Sequence, residues 1–421
     1  MIIIKITIIG GGSYAWMPAI LPDLVRNDFF NGCGICLMDI NSEALSQILA
    51  YTQKLLALRP ESQIRFTTST NLDESLDGAD FVIVSVSQAG LAAEIEDHVI
   101  ARKYGHYNYK GSEVGIAGAS RTLRHVRETV RIARIMEKQC PNAMFLNVSN
   151  PLTAITRSVD KYTNIKAVGF CHGIKNHLQL LFPVFGAESW AEVDFNAGGV
   201  DHCSWLLDVR YKGQDALQVM RERKELFTSI ENQRLRFLIW ETIGYLPALS
   251  DEHCAEFFGQ IMDTEERRKY YGVTYDRIEE RRNAVASAKQ NIGRELSPDV
   301  LKHGSGECIM PLIQALGGGG PLADILNYRN VGQIANLPLE SVVETKCLVD
   351  ATGIHPVIMG ELPPILESIV RPVVIREELY MEAAIEENAA KLKCALATDP
   401  LVNEFRNIDE LCEELMRYNI K

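Results

Sequence analysis

Gly10-Gly11-Gly12-Ser13-Tyr14-Ala15 has the G-x-G-x-x-G/A spacing with which a backbone closes around a pyrophosphate. That chemistry needs glycine twice. Gly10 permits a tight turn, and Gly12 lets the main chain approach the phosphates without a side chain in the way. Ala15 is expected to keep the following helix close to the preceding strand, and Ser13 lies in the same phosphate loop. Free N–H groups at the helix N-terminus would then face the anion. Asp39 ends the next apolar run, where a carboxylate can accept hydrogen bonds from both ribose hydroxyls and repel a 2′-phosphate. The prediction is therefore NAD and not NADP. A glycine-rich turn in some other α/β protein is the competing reading, and the register of strand, loop, helix and acidic residue argues against it.

Other residues have metal-ligating types without settling anything alone. Cys171-His172-Gly173 and Asp201-His202 bring together a thiol, imidazoles and a carboxylate. Taken singly, Cys171 reads as a small buried hydrophobe and His202 as a satisfied core histidine. The Cys33/Cys36 pair has no second pair, whereas a structural zinc site needs four ligands, so it reads as structural.

The elements that must position these residues follow from hydrophobic pattern. Ile2–Ile9, Ile35–Met38, Phe81–Val86, Ala143–Val148 and Ile165–Cys171 are apolar runs that predict strands. Amphipathic stretches lie between them, including Leu45, Ile48, Leu49, Thr52 and Leu55 behind a Ser42 N-cap, and a helical stripe from Leu123 to Met136. This alternation predicts βαβ units around a parallel sheet, with Ile165–Cys171 as its last strand. Beyond it the pattern turns to longer helical segments with fewer strands, and Asp409–Tyr418 reads as a closing amphipathic helix. The fold class is thus α/β, with a Rossmann domain over 1–170 and a mixed α+β domain over 171–421.

Composition excludes several function classes. The formal net charge of -12 disfavours nucleic acid and anionic membranes as partners, because both would repel it. No stretch approaches the roughly 20 apolar residues of a membrane helix. The N-terminal apolar run lacks the basic leader and cleavage site of a secretory signal. Ten cysteines without scaffold spacing read as reduced thiols, which predicts a cytoplasmic protein.

Motif order adds a specific resemblance. Asn147-Val-Ser-Asn150-Pro151, Cys171-His172-Gly173 and Gly199-Val-Asp-His202 follow the N-terminal Gly-Gly-Gly-Ser, and Asn336-Leu-Pro338, Val342-Val-Glu344 and Gly353-Ile-His-Pro356 come after. Together they resemble the family 4 glycoside hydrolases along nearly the whole chain. The resemblance implies a fold similar to lactate and malate dehydrogenases, bound NAD, and a divalent metal, usually manganese, on Cys171 and His202. It also implies that Asn150 holds the sugar near the nicotinamide. A soft thiolate on a hard ion implies a labile, oxidisable site. Two departures stand out. Asp201 occupies a position where the family usually has asparagine, and would pair with a cation or add a ligand. Ala117-Gly-Ala-Ser120 replaces a more glycine-rich stretch ahead of Arg121 and Arg124.

Ordinary glycosidases use two carboxylates, and this family is an exception. What the resemblance implies is redox elimination: NAD takes hydride from C3, a side-chain base removes the C2 proton, the C1 group leaves, water adds and hydride returns. The base is expected from Tyr245-Leu-Pro-Ala-Leu-Ser-Asp251-Glu252-His253, with Asp251 first and Tyr245 second, since a phenol of pKa about 10 needs a nearby cation. His172 would contact the sugar or the leaving group. His172-Gly173 resembles the branch acting on unphosphorylated sugars, including α-galacturonides and α-glucuronides. A uronate would want an arginine, for which Arg121, Arg124, Arg281 and Arg282 are candidates. The resemblance further implies a homo-oligomer, a dimer or tetramer. The rival readings are a 2-hydroxy acid dehydrogenase and a cofactor sensor that has lost catalysis.

Overall fold

The computed structural model describes residues 4–107, 110–273, 278–302 and 304–420. Six strands, β1 (Lys5–Ile9), β2 (Gly34–Met38), β3 (Arg65–Ser69), β4 (Phe81–Val84), β5 (Met144–Asn147) and β6 (Ala167–Gly169), pair in parallel in the spatial order 3-2-1-4-5-6. That is the order of a Rossmann sheet. Its central strands are apolar on both faces because helices cover both. Val82 and Val84 face the core that includes the helix Gly115–Gln139, whereas Phe81 and Ile83 face the one that includes Met17–Arg26 and Ser42–Leu58. The two-residue period of a strand sorts alternate side chains in this way. Each such isoleucine or valine removed from water contributes about 1.5–3 kcal/mol.

Two sequence expectations need correction here. β6 does not end the sheet, and the second half is not poor in strands. Seven of the thirteen described strands lie beyond residue 171: β7 (Val193–Val200), β8 (Cys203–Tyr211), β9 (Gln214–Asp215), β10 (Leu246–Pro247), β11 (Leu322–Arg329), β12 (Val342–Asp350) and β13 (Gly353–Pro356). β11 pairs antiparallel with β6, Asn327 opposite Gly169, and β12, β7, β8 and β10 continue outward. One sheet therefore runs through 1–170 and 171–421, and the sense of pairing changes near residue 171. The antiparallel strands escaped the hydrophobic reading because glycine and polar residues interrupt them, as in Val193-Asp-Phe-Asn-Ala-Gly-Gly-Val200.

Helix boundaries moved for identifiable reasons. The side chain of Asn41, not of Ser42, caps Ser42–Leu58, accepting from the Ala44 N–H at 3.1 Å. The helix after the glycine loop begins only at Met17, which leaves Ala15 exposed in the turn instead of spacing helix from strand. The closing helix is Ile408–Asn419. No helix among the described residues is long and apolar enough to cross a membrane.

Candidate functional site

The glycine loop closes over the C-terminal end of β1. Gly10 has φ +88°, and a Cβ there would stand 1.9 Å from the Ser85 carbonyl oxygen. A Cβ on Gly12 would stand 2.8 Å from Asp39 Oδ2, so the close approach that requires glycine is to the acidic residue itself. Asp39 Oδ2 accepts from the Gly12 N–H at 3.0 Å and Oδ1 from the Asn41 N–H at 2.9 Å. Ser13 Oγ accepts from the Trp16 N–H at 3.2 Å and tightens the turn before the helix. Loop and carboxylate thus form one unit.

Cys171 lies just past β6, and Asp201 and His202 form the tip of the β7–β8 hairpin, in which Val200 pairs with Cys203. This turn is buried. Among the described residues, Cys171, Asp201 and His202 offer ligand atoms that all lie within 4.8 Å of one another. His202 has φ +62°, an uncommon conformation for a non-glycine residue that recurs at ligand sites. Its Nδ1 meets Glu113 Oε2 at 2.5 Å, so the carboxylate fixes the ring and turns Nε2 toward the cluster. Glu113 can stand there because the helix that follows carries Gly118, where a Cβ would lie 2.4 Å from the Glu113 carbonyl carbon.

Asp201 supplies the test of fit. It has no exposed surface, and neither carboxylate oxygen has a hydrogen-bond partner. Burial pushes its pKa well up, and burial together with the Asp201 and Glu344 charges pushes the Cys171 thiol well up. A thiol, an orphaned carboxylate and an oriented imidazole converging in a buried pocket fit a divalent cation, whose charge would reverse both shifts. A hairpin turn is normally polar because water meets it; here a cation would take that part. Asp201 is thus as good a candidate ligand as Cys171 and His202.

The cluster opens into a cavity of about 900 Å³ lined by Asn150, Cys171, His172 and His202. His172 Nδ1 lies 2.6 Å from Glu307, which raises its pKa. The Asn150 carbonyl accepts from His125 Nδ1 at 2.6 Å, and the same ring accepts the Gln88 N–H on Nε2 at 3.1 Å. Of the four arginines, Arg121 and Arg281 line the cavity and converge on Glu94, Arg121 at 3.1 Å. Arg124 instead makes a buried, two-point pair with Asp97 at 2.8 and 2.7 Å. Arg282 is exposed outside the cavity lining, because neighbours on a helix point about 100° apart and Arg281 takes the inward direction.

The expected catalytic stretch is also redistributed. Asp251 does not line the cavity; its carboxylate accepts from the N–H groups of Leu235 at 3.0 Å and Arg236 at 2.7 Å, at the start of the helix Arg234–Ile243. Tyr245 packs among apolar residues and does not line it either. Their neighbours Glu252 and His253 do, as do Lys110 and His177. Lys110 Nζ pairs with Glu252 at 2.9 Å, and the His253 ring lies 4.3 Å from that of His202, centre to centre. Sequence reasoning quoted Glu252 and His253 without assigning them roles, and it missed Glu113, Lys110 and His177.

Residues 5–184 match the family 4 glycosyl hydrolase model, and residues 197–402 match the model of the family 4 glycosyl hydrolase C-terminal domain. An alpha-galacturonidase of Thermoanaerobacterium saccharolyticum is 30% identical across 98% of this chain and 95% of its own. The chain belongs to family 4 of the glycosyl hydrolases. Solved structures agree in fold. The Bacillus subtilis protein lplD superimposes with a TM-score of 0.87 at 26% identity, over 98% of this chain and 99% of that one. A 6-phospho-beta glucosidase of Thermotoga maritima, solved with manganese, NAD+ and glucose-6-phosphate, gives 0.83 at 21%, over 99% and 98%. Family membership sets the plain dehydrogenase reading aside.

Proposed function

We propose that this family 4 enzyme hydrolyses an unphosphorylated α-uronide, an α-galacturonide or α-glucuronide, by NAD- and manganese-dependent redox elimination. The observation that carries this is the orphaned Asp201 carboxylate beside Cys171 and His202, at the sheet edge where dinucleotide-binding folds hold their ligands. A bound NAD would supply the hydride acceptor and donor for C3, and a metal held by Cys171, Asp201 and His202 would supply a Lewis acid. The chain's residues do the rest. Gly10, Gly12 and Ser13 bind the pyrophosphate and Asp39 the adenosine ribose. Asn150 holds the sugar against the nicotinamide, in a position fixed by His125.

Proton removal at C2 falls to His253, which faces the cavity beside His202 as a neutral ring, because burial and the charges of His202 and Lys110 push its pKa well down. His172, whose pKa the Glu307 carboxylate raises, is placed to protonate the leaving oxygen. Arg121 and Arg281 line the cavity beside Glu94, and their guanidinium groups are the ones placed to meet a uronate carboxylate. A relative named alpha-galacturonidase supports the same choice.

The test is hydrolysis of p-nitrophenyl α-galacturonide, α-glucuronide and α-galactoside with NAD, manganese and a reductant. The proposal expects uronide cleavage that a chelator abolishes and manganese restores. Preference for the neutral galactoside would remove the uronate, and cleavage without NAD or metal would remove the mechanism.

A further inference from the structure

Behind His177 lies a buried chain of polar groups that the chemistry above does not use. Arg236 is fully buried, and its guanidinium donates to the carbonyls of Pro247 at 2.7 Å, Ala248 at 2.9 Å and His177 at 3.1 Å, and to Gln233 Oε1 at 2.8 Å. A guanidinium can only donate, so the Gln233 oxygen must face it and the amide nitrogen must face the other way. That nitrogen donates to Ser250 Oγ at 2.8 Å. Ser250 then has one proton to give, and its remaining side-chain partner among the described residues is His177 Nδ1. The direction of every bond is thereby set by the arginine. Nδ1 accepts, and the proton of the neutral ring sits on Nε2.

The His177 ring lines the same cavity, and its Nε2 has no protein partner among the described residues. We infer that His177 is a substrate-binding residue whose Nε2–H, oriented by Arg236, Gln233 and Ser250, donates to an oxygen of the bound glycoside. This rests on reading the cavity as the glycoside site. A ring that is always a donor reads a hydroxyl or carboxylate oxygen and rejects a group that must itself donate. Burial and the Arg236 charge hold the ring neutral, with its pKa lowered to about 3, so the donor persists across the working range.

The competing assignment is a second metal site, because His177, Glu252 and His253 also offer ligand atoms within 4.8 Å of one another. A metal needs a bare imidazole nitrogen. The relay occupies the lone pair on Nδ1 and leaves Nε2 protonated, so His177 has none to give.

The experiment reads the tautomer directly, by ¹⁵N-histidine NMR of the NAD-bound enzyme with magnesium in place of manganese, His177→Gln identifying the resonance. The expected result is a protonated Nε2 in wild type, and a protonated Nδ1 in Gln233→Glu. There the carboxylate accepts from both Arg236 and Ser250, and the Ser250 oxygen is left to accept from the ring. Turnover of p-nitrophenyl α-galacturonide supplies the second readout. His177→Gln places an amide nitrogen where Nε2 stood and keeps KM within about threefold, whereas His177→Asn and Gln233→Glu raise it about tenfold, the equivalent of one lost hydrogen bond. A wild-type proton on Nδ1, equal KM for the Gln and Asn variants, or a second bound metal lost with His177 would each overturn the inference. A wild type that cleaves no uronide while showing the Nε2 proton would count against the substrate reading and not against the relay.

Discussion

At the scale of single residues, Asp201 is a fully buried aspartate and Asp251 a half-buried one, with opposite circumstances. Asp201 makes no hydrogen bond, with only His202 Nε2 at 3.6 Å and the Cys171 thiol beside it, and a buried carboxylate so weakly partnered is too costly to persist charged without a cation. Asp201→Asn should therefore fold and bind NAD while losing at least about tenfold in manganese affinity, the loss typical of an altered metal shell. Metal titration of both proteins decides this, and undiminished affinity would place the ion elsewhere. Asp251, in contrast, satisfies two of the free N–H groups at the start of Arg234–Ile243. Asp251→Ala should cost about 1 kcal/mol of stability, as loss of a helix cap does, and leave turnover of the folded enzyme near wild type. His253→Gln should do the reverse, abolishing turnover with little change in melting temperature. A dead but stable Asp251→Ala enzyme would restore Asp251 as the base. The sequence made Cys171 and His202 legible because motif order carries them. It could not say which of Asp251, Glu252 and His253 faces the cavity, since consecutive residues at a helix start point in different directions.

At the scale of elements, the cofactor unit is the loop from β1, the end of β2 and the start of Ser42–Leu58, joined through Asp39. Asp39→Ala removes both the ribose acceptor and the charge that excludes a 2′-phosphate. It should weaken NAD binding and bring NADP binding toward parity, as read by titrating each cofactor; a wild type that prefers NADP would contradict the assignment. The helix Gly115–Gln139 is tied to the site through His125, whose partners force a neutral ring protonated on Nδ1. Burial and the Arg121 charge lower its pKa to about 3, against about 6.5 in an unfolded chain. Between those values the unfolded state binds a proton that the folded state does not, so this residue's contribution to stability falls as pH falls, by about 1.4 kcal/mol per unit. Urea unfolding of chelated protein should show a shallower acid decline for His125→Asn than for wild type, and parallel declines would contradict the buried neutral ring. The parallel strands were legible because continuous apolar runs sign a strand covered on both faces. β7, β8 and β11 were not, because glycine and polar residues break their alternation.

At the scale of the whole molecule, a single sheet carries the glycine loop at β1 and the metal candidates beyond β6 and β7, so that the sites proposed for cofactor, cation and sugar lie over one set of strand ends. The pairing change after residue 171 builds the antiparallel half that supplies Asp201 and His202. This long-range closure was invisible to local pattern, because Gly169 and Asn327 are brought together by pairing and not by sequence proximity. The proposed mechanism asks this geometry to remove a carbon-bound hydrogen that ordinary glycosidases never touch. The most direct measurement is therefore hydrolysis of an α-galacturonide in heavy water, with the released sugar analysed by NMR. The account predicts deuterium at C2 in proportion to product formed, and its loss together with turnover in His253→Gln. Released sugar without deuterium at C2, and without transfer of the C3 hydrogen to NAD, would contradict it.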